Sequence, residues 1–202
     1  MTAGAILTVG HSTRDFRTLV RLLEENGVTA VADVRSVPMS RFAPQFNRAV
    51  IERSLRDAGI KYVFMGHELG ARSEDPGCYV DGRVQYRLLA RTPAFVNGIR
   101  RLEKGVQVER IAVMCTEGEP LECHRTVLIS QVLEEDGLTV EHIGGDGKVE
   151  THAAAMERLM ERFGLAQDDL FRTFAERLEA ALEQQERRIA YVADEEGGSS
   201  SR

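Results

Sequence analysis

Short apolar runs alternate with amphipathic stretches along most of the chain. Apolar runs that end at glycine or a charged residue predict buried strands, and apolar residues spaced three or four apart predict helices. The predicted strands are 5–9, 29–34, 60–65, a run that ends at Cys115, and 138–143. The predicted helices are 14–26, 47–58, 83–91, 93–104 and 124–135, and residues 66–82, rich in Gly, Pro, Asp and Ser, are predicted to form a long loop.

This order of elements predicts the fold class. Strands that alternate with helices form parallel units, so we expect an α/β core over residues 1–150, with a mainly parallel sheet and helices on both faces in three layers. In such sheets, ligands bind outside the carboxyl ends of the strands. His11, Arg35, His67 and Cys115 follow four predicted strands, so we expect their side chains to converge on one crevice.

Residues 151–192 carry two further apolar stripes at helical spacing, which are typical of amphipathic helices. We predict a C-terminal helical extension that packs on the core, and a homodimer contact through these helices is the main alternative. Asp168-Asp169, between the two stripes, is predicted to start the second helix. The last residues, 193–202, are acidic and rich in Gly and Ser, and we predict a disordered tail.

The net charge and the cysteine content argue against several classes of protein. The formal net charge of −6 argues against extended electrostatic binding to nucleic acid or to an anionic membrane. No apolar run is long enough to span a bilayer, and the N-terminus lacks the features of a secretory signal. Three irregularly spaced cysteines favour a reducing compartment over a disulfide framework, so we expect a cytoplasmic location.

One basic segment differs from this acidic background. Residues 35–50 contain Arg35, Arg41 and Arg48 and no carboxylate. Guanidinium groups bind carboxylates and phosphates through paired hydrogen bonds. We therefore expect an anionic small molecule or nucleotide as the ligand, with nucleic acid as a further option and no membrane partner.

The densest group of reactive side chains lies in the stretch VERIAVMCTEGEPLECHR, residues 108–125. Cys123 would open a predicted helix, and helix starts expose N–H groups that favour thiolates. His124 follows directly and adds positive charge, so we predict Cys123 as nucleophile and His124 as the proton carrier. We predict that Cys115 and Glu117 support them. In the structural alternative, Cys115 is a buried apolar residue and Cys123 caps the helix.

The turns after the first two strands add candidate ligand-binding residues. His11 is predicted to bind an anion or transfer a proton, since imidazole titrates near neutral pH. Ser12 is predicted to bind the same ligand, and capping of the next helix is its structural alternative. A structural ion pair with Asp33 is the alternative for Arg35. The predicted anion-binding arginines are Arg35, Arg41 and Arg125.

A metal centre is another interpretation of the same cysteines. Its ligands would come from His11, Cys115, Glu117, Cys123 and His124. Structural zinc sites usually show two close ligand pairs, and this chain has one adjacent Cys-His pair. We therefore assign no metal ligand, and the sequence leaves the cofactor open.

Four motifs occur together and in order. They are TVGHS at 8–12, ADVRSVP-x-S at 32–40, Tyr-x-x-x-x-x-x-Leu-Gly at 62–70 and C-x-E-x-x-P-x-x-C-H-R at 115–125. With this combination the chain resembles the uncharacterised family known as domain of unknown function 488, from about residue 6 to residue 147. The resemblance implies these motif positions: Gly10, His11, Ser12, Asp33, Arg35, Pro38, Ser40, Cys115, Glu117, Pro120, Cys123, His124 and Arg125. Ser40 thereby joins the predicted substrate-binding residues, and no activity comes with the family.

These observations predict an enzyme that uses cysteine or histidine chemistry on a phosphate-, nucleotide- or nucleic-acid-like anion. A non-catalytic nucleotide- or nucleic-acid-binding module and a metal-dependent hydrolase are the alternatives. The substrate, the reaction type, the reactive cysteine and the oligomeric state stay open at the level of the sequence.

Overall fold

The computed structural model describes residues 5–168 and 170–193, which form one six-stranded sheet and a small hairpin with surrounding helices. The strands are β1 (Ile6–Gly10), β2 (Ala30–Asp33), β3 (Lys61–Phe64), β4 (Tyr79–Val80), β5 (Arg83–Val84), β6 (Ile111–Cys115), β7 (Val140–Ile143) and β8 (Val149–Thr151). The α-helices are α1 (Phe16–Glu25), α2 (Arg48–Asp57), α3 (Gly66–Leu69), α4 (Tyr86–Leu89), α5 (Pro93–Gly105), α6 (Gln131–Glu135), α7 (His152–Arg162) and α8 (Phe174–Ile189). No helix of the described part is both long and apolar enough to cross a membrane.

The large sheet has the strand order β3-β2-β6-β1-β7-β8. The strands from β3 to β7 in this order are parallel to their neighbours, and β8 runs antiparallel to β7. β6 lies between β2 and β1, so Cys115 at its end is in register with Gly10 of β1. The predicted α/β class with a mainly parallel sheet is confirmed.

The apolar core lies on both faces of this sheet. Successive side chains of a strand point to opposite faces. Leu7 of β1 packs in a cluster with Leu19 of α1 and Ile51 of α2. Ile6 packs on the other face, in a cluster that includes Phe95 of α5 and Leu159 of α7. Each face therefore has its own helical layer, and the C-terminal helices belong to the same layer as α5.

The structure corrects the prediction of a long loop over 66–82 and of a helix over 83–91. These segments contain α3, a 3-10 turn at Pro76–Cys78, the hairpin of β4 with β5, and α4. Asp81 and Gly82 form the hairpin turn with φ angles of 50° and 72°. Such angles define the two-residue turn that Asp-Gly favours, so a hairpin signal was present in the sequence.

Two helix starts also differ from prediction. The helix expected over 124–135 begins with a π-helical turn, Arg125–Ser130, in which the Ser130 hydroxyl donates to the Arg125 carbonyl at 2.7 Å. α8 begins after Thr173, which forms a capping box, rather than at Asp168-Asp169. Asp168 instead accepts a hydrogen bond from Arg177, while Asp169 and the predicted tail beyond residue 193 lie outside the described residues.

A chain of hydrogen bonds joins β1 and β7 to the starts of α7 and α6. The Gln131 amide group donates to Glu135, so its carbonyl oxygen accepts from His152 Nε2 at 3.2 Å. His152 Nδ1 then accepts from His142 Nε2 at 3.1 Å, and His142 Nδ1 accepts from the Thr8 hydroxyl at 2.8 Å. Burial lowers the pKa of His142 to about 3 and that of His152 to about 4.

These histidines predict a dependence of stability on pH. In the unfolded chain they gain a proton below about pH 6.5, whereas the folded protein keeps them neutral. The free energy of unfolding is therefore expected to fall as the pH drops from about 6.5 towards 4, by roughly 1.4 kcal/mol per pH unit for each histidine. Urea unfolding across this range should show a shallower slope for His152→Gln than for the wild type. Equal slopes for the variant and the wild type would contradict this account.

Candidate functional site

The loop that follows β6 crosses directly over the end of β1. The backbone N–H of His11 donates to the Cys115 carbonyl at 3.0 Å. A Cβ atom at Gly10 would lie 1.7 Å from the Glu117 carbonyl oxygen, so this crossing requires glycine. The end of β1 therefore fixes the backbone that carries Cys115 and Glu117.

Cys123 occupies the helix start that the sequence predicts. Its backbone is extended, with φ −137° and ψ 140°, and it follows a 3-10 turn at Pro120–Glu122. Its carbonyl accepts from the N–H groups of Thr126 and Val127 at 3.1 and 3.2 Å. Cys123 thus has the backbone role of a helix-capping residue, and its side chain lies beside the first turn.

The two cysteines and His124 form a compact buried cluster. Their ligand atoms, the two Sγ atoms and one ring nitrogen, all lie within 4.8 Å of one another. His124 Nδ1 is 3.8 Å from each sulfur, and the Cys115 thiol donates to Glu117 Oε2 at 3.1 Å. His124 Nε2 is buried without a hydrogen-bond partner among the residues that the structure describes.

Arg125 is fully buried behind this cluster. Its Nη1 donates to the Glu117 carbonyl at 2.7 Å. Its Nε and Nη2 have no hydrogen-bond partner, and the described residues provide it with no ion pair. A guanidinium keeps its proton at any physiological pH, and burying such a charge without an anion costs several kcal/mol. A negative charge near Arg125 would offset this cost.

Cys123 is the group best suited to supply that charge. Burial by itself raises the pKa of Cys123, but the contact with the Cys115 sulfur, the charge of Arg125 and the contact with His124 outweigh it and lower the pKa well below its ordinary value. The contact with Cys123 and burial raise the pKa of Cys115. Burial lowers the pKa of His124, but the hydrogen bond to Cys123 and its charge more than compensate and raise it. These directions favour ionisation of Cys123 over ionisation of Cys115.

Glu117 shares this electrostatic environment. Burial and the negative charge of Cys123 raise the pKa of Glu117. A carboxyl group with a raised pKa takes up a proton more readily at neutral pH. Because its Oε2 accepts from Cys115, Glu117 is placed to receive the proton of that thiol.

A second polar network holds Arg35 at the end of β2. Asp33 accepts from Arg35 Nε at 2.8 Å, from Arg35 Nη2 at 2.6 Å and from the Tyr62 hydroxyl at 2.7 Å. His11 Nδ1 donates to the Ser12 carbonyl, so its Nε2 accepts from Arg35 Nη1 at 3.1 Å. Burial lowers the pKa of His11 to about 4, which keeps this acceptor unprotonated. The structural ion pair proposed as the alternative for Arg35 is therefore present.

The two networks meet at a cavity of about 210 Å³. Five predicted site residues line it: Arg35, Cys115, Glu117, Cys123 and His124. The other predicted residues do not line it: His11, Ser12, Ser40, Arg41 and Arg125. His11 lies behind Arg35. Ser40 and the exposed Arg41 belong to the loop before α2. In this loop the Arg41 guanidinium lies over the Phe42 ring. Their roles in binding stay predictions.

The sequence interpretation missed the opposite wall of the cavity. Arg72, Tyr86, Ile189 and Tyr191 line it, and the Arg72 guanidinium lies 4.6 Å from the centre of the Tyr191 ring. The Asp81-Gly82 turn signal predicts the hairpin just before Tyr86, so it could have located that part of the wall. No local sequence signal marks Tyr191, because this residue reaches the cavity only through tertiary packing.

Polar contacts fix the C-terminal helix to the loop that carries Cys123. Gln185 Nε2 donates to the Leu121 carbonyl at 2.8 Å, and the Gln185 side chain is fully buried. Glu186 Oε1 accepts from the backbone N–H of Tyr86 at 2.7 Å. These bonds hold α8 against two parts of the cavity wall.

The Cys115, Cys123 and His124 cluster is also the part of the described chain that could hold a metal. Thiolate sulfur and imidazole nitrogen are the donors that zinc prefers, and catalytic zinc sites use three protein ligands with one open position. The donor set fits such an ion.

The Asp33 network predicts that two substitutions lower the free energy of unfolding by different amounts. Asp33→Asn removes the charge that balances the buried Arg35 guanidinium, and we expect it to lower the free energy of unfolding by about 3 kcal/mol or more. Tyr62→Phe removes one hydrogen bond from the same carboxylate, and we expect a loss of about 1 kcal/mol. Urea unfolding at neutral pH measures both. An Asp33→Asn protein as stable as Tyr62→Phe would show that the ion pair contributes little.

Comparison with known proteins agrees with the motifs. The family model described as Domain of unknown function DUF488 matches residues 15–132, more than half of the chain. No curated protein and no solved structure matches the chain. The matched segment contains the loop from Cys115 to Arg125, whereas Ile189 and Tyr191 lie beyond it. The chain therefore belongs to the DUF488 family, and the resemblance predicted from its motifs is confirmed.

Proposed function

We propose that this protein is a thiol-dependent enzyme in which the Cys123 thiolate attacks a small anionic substrate. The observation that carries the proposal is the buried, unpaired guanidinium of Arg125 behind a cysteine that lines a cavity. The same cavity is lined by the Arg35 guanidinium. A nucleophile and an anion-binding group thus share one enclosed space.

His124 complements Cys123 in this chemistry. Its Nδ1 lies 3.8 Å from the Cys123 sulfur, and its pKa is raised, against the opposing effect of burial, by hydrogen bonding to the thiolate. A protonated imidazole stabilises the thiolate before attack and can then donate its proton to the leaving group. Cysteine and histidine together therefore provide a nucleophile and a general acid.

The size and charge of the cavity favour a small substrate. Sites for drug-sized ligands enclose about 300–1,000 Å³, and this cavity of about 210 Å³ is smaller. Arg35 is held rigidly by Asp33 and lies on one wall, while Arg72 lies on another. We propose a compact carboxylate or phosphate ester as the ligand, rather than a stretch of nucleic acid.

A metal-dependent hydrolase is the second candidate, because the ligand atoms of Cys115, Cys123 and His124 lie within 4.8 Å of one another. A bound zinc ion would supply an activated water molecule at an open coordination position. Elemental analysis of protein purified without chelators separates the two candidates. The metal centre would be favoured over the free thiolate if the wild type contains one zinc per chain and if each single variant, Cys115→Ser and Cys123→Ser, contains none.

The thiolate proposal predicts an unusual pH profile of alkylation. We expect the rate at which iodoacetamide labels Cys123 to fall less steeply between about pH 8.5 and about pH 6 than the rate for a free thiol, which loses about tenfold per pH unit in this range. Arg125→Met should raise the pKa of Cys123 and restore the steep decline. Tandem mass spectrometry assigns the label in the tryptic peptide 111–125 of the wild type and in peptide 111–148 of Arg125→Met, which lacks the cleavage site at 125. A wild-type profile like that of a free thiol would refute the proposal.

The anion-binding part of the proposal has its own test. Iodoacetate and iodoacetamide differ mainly in charge, so their rate ratio at Cys123 reports on cations in the cavity. We expect Arg72→Gln to lower this ratio several-fold without moving the pH profile, because Arg72 lines the cavity wall away from Arg125. The exposed Arg21→Gln, which does not line the cavity, serves as the matched control. An equal effect of both variants would remove Arg72 from the binding site.

A further inference from the structure

Cys115 has no part in a single nucleophilic attack, yet the fold holds it beside Cys123. Its sulfur lies within 4.8 Å of the Cys123 sulfur, and both residues line the cavity. Cys115 ends β6, whose last residues pair with β1, while Cys123 starts the following helical turn. The third cysteine, Cys78, is buried elsewhere, after the loop that follows α3.

The two thiols differ in their surroundings in a way that suits consecutive steps. His124 Nδ1 lies 3.8 Å from both sulfurs, and Cys123 precedes the buried Arg125 by two residues. Cys115 donates to the Glu117 carboxylate at 3.1 Å, so a proton acceptor is already in place for it. One thiol is thus arranged to attack first, and the other is arranged to lose its proton later.

We infer that Cys115 and Cys123 form a redox-active dithiol that reduces a small anionic disulfide to two thiols. This inference rests on the proposed function, because it requires Cys123 to be the attacking thiolate. The substrate of that site would be an organic disulfide that carries carboxylates. Arg35 and Arg72 on the cavity wall would bind these carboxylates.

The reaction balances in two exchange steps. The Cys123 thiolate attacks one substrate sulfur, the substrate S–S bond breaks, and the first product thiolate takes the proton of His124. Glu117 then accepts the proton of Cys115, whose sulfur attacks the Cys123 sulfur of the mixed disulfide. The second product thiolate leaves and takes that proton from Glu117. The substrate gains two electrons, Cys115 and Cys123 are oxidised to a disulfide, and an external dithiol restores them.

Peptide mass spectrometry can measure the oxidation of Cys115 and Cys123 separately from that of Cys78. Trypsin cleaves after Arg110 and Arg125, so both cysteines fall in one peptide, 111–125, while Cys78 falls in peptide 73–83. The reduced full-length protein is treated with dithiodipropionate, quenched with acid, and alkylated after unfolding. We expect peptide 111–125 to lose two hydrogens and to escape alkylation, with two thiols released per chain. Peptide 73–83 should be alkylated as in untreated protein.

The variants Cys115→Ser and Cys78→Ser and the cationic disulfide cystamine serve as controls for this reaction. Cys115→Ser should stop at a mixed disulfide on Cys123 and release half as much thiol, while Cys78→Ser should behave as wild type. Wild-type protein that also stops at the mixed disulfide would overturn the dithiol and leave Cys123 as a nucleophile. A lack of reaction together with slow iodoacetamide labelling would overturn the proposed function itself. Cystamine, a cationic disulfide of similar length, should react several-fold more slowly, and an equal rate would overturn the anionic substrate class.

Discussion

The site depends on the burial of one guanidinium. Arg125 is completely enclosed, and a single backbone carbonyl accepts one of its N–H groups. Arginine cannot become neutral, so the protein must compensate this charge with an anion nearby. In our account the anion is the Cys123 thiolate. The ionisation of the cysteine is then a condition of folding as well as of reactivity.

The fold brings Cys123 and Arg125 to the end of the sheet by close backbone contact. β6 lies between β1 and β2, and the loop after it rests on Gly10, where a larger residue would collide with the Glu117 carbonyl. The ends of β6 and β2 therefore present Cys115, Glu117 and Arg35 to one space. The helical turn that follows begins with π-type bonding, a geometry that is often found at functional sites.

Much of the core was predictable because its signals are local. The apolar runs of β1, β2 and β6 and the spacing in α1, α2 and α5 depend only on neighbouring residues, and their bounds differ from prediction by one or two positions. The convergence of Arg35 and Cys115 followed from the rule that parallel strands end at one edge. The hairpin at Asp81-Gly82 was missed, although its turn signal is present.

The far wall of the cavity could not be predicted in the same way. Tyr191 reaches the site because α8 bonds to Leu121 through Gln185, a contact between residues that are distant in sequence. The family match also ends before this segment. Ile189 and Tyr191 of the cavity wall thus come from a part of the chain that carries no motif.

The charge pair itself can be measured directly in a protein with one remaining cysteine. In Cys78→Ser/Cys115→Ser, the serine at position 115 keeps a hydroxyl donor, and the ultraviolet absorbance of the Cys123 thiolate can be titrated with pH. Our account predicts that this thiolate persists well below the pKa of about 8.5 of a free cysteine. A thiol that ionises at or above that value would leave Arg125 without its anion and would contradict the account.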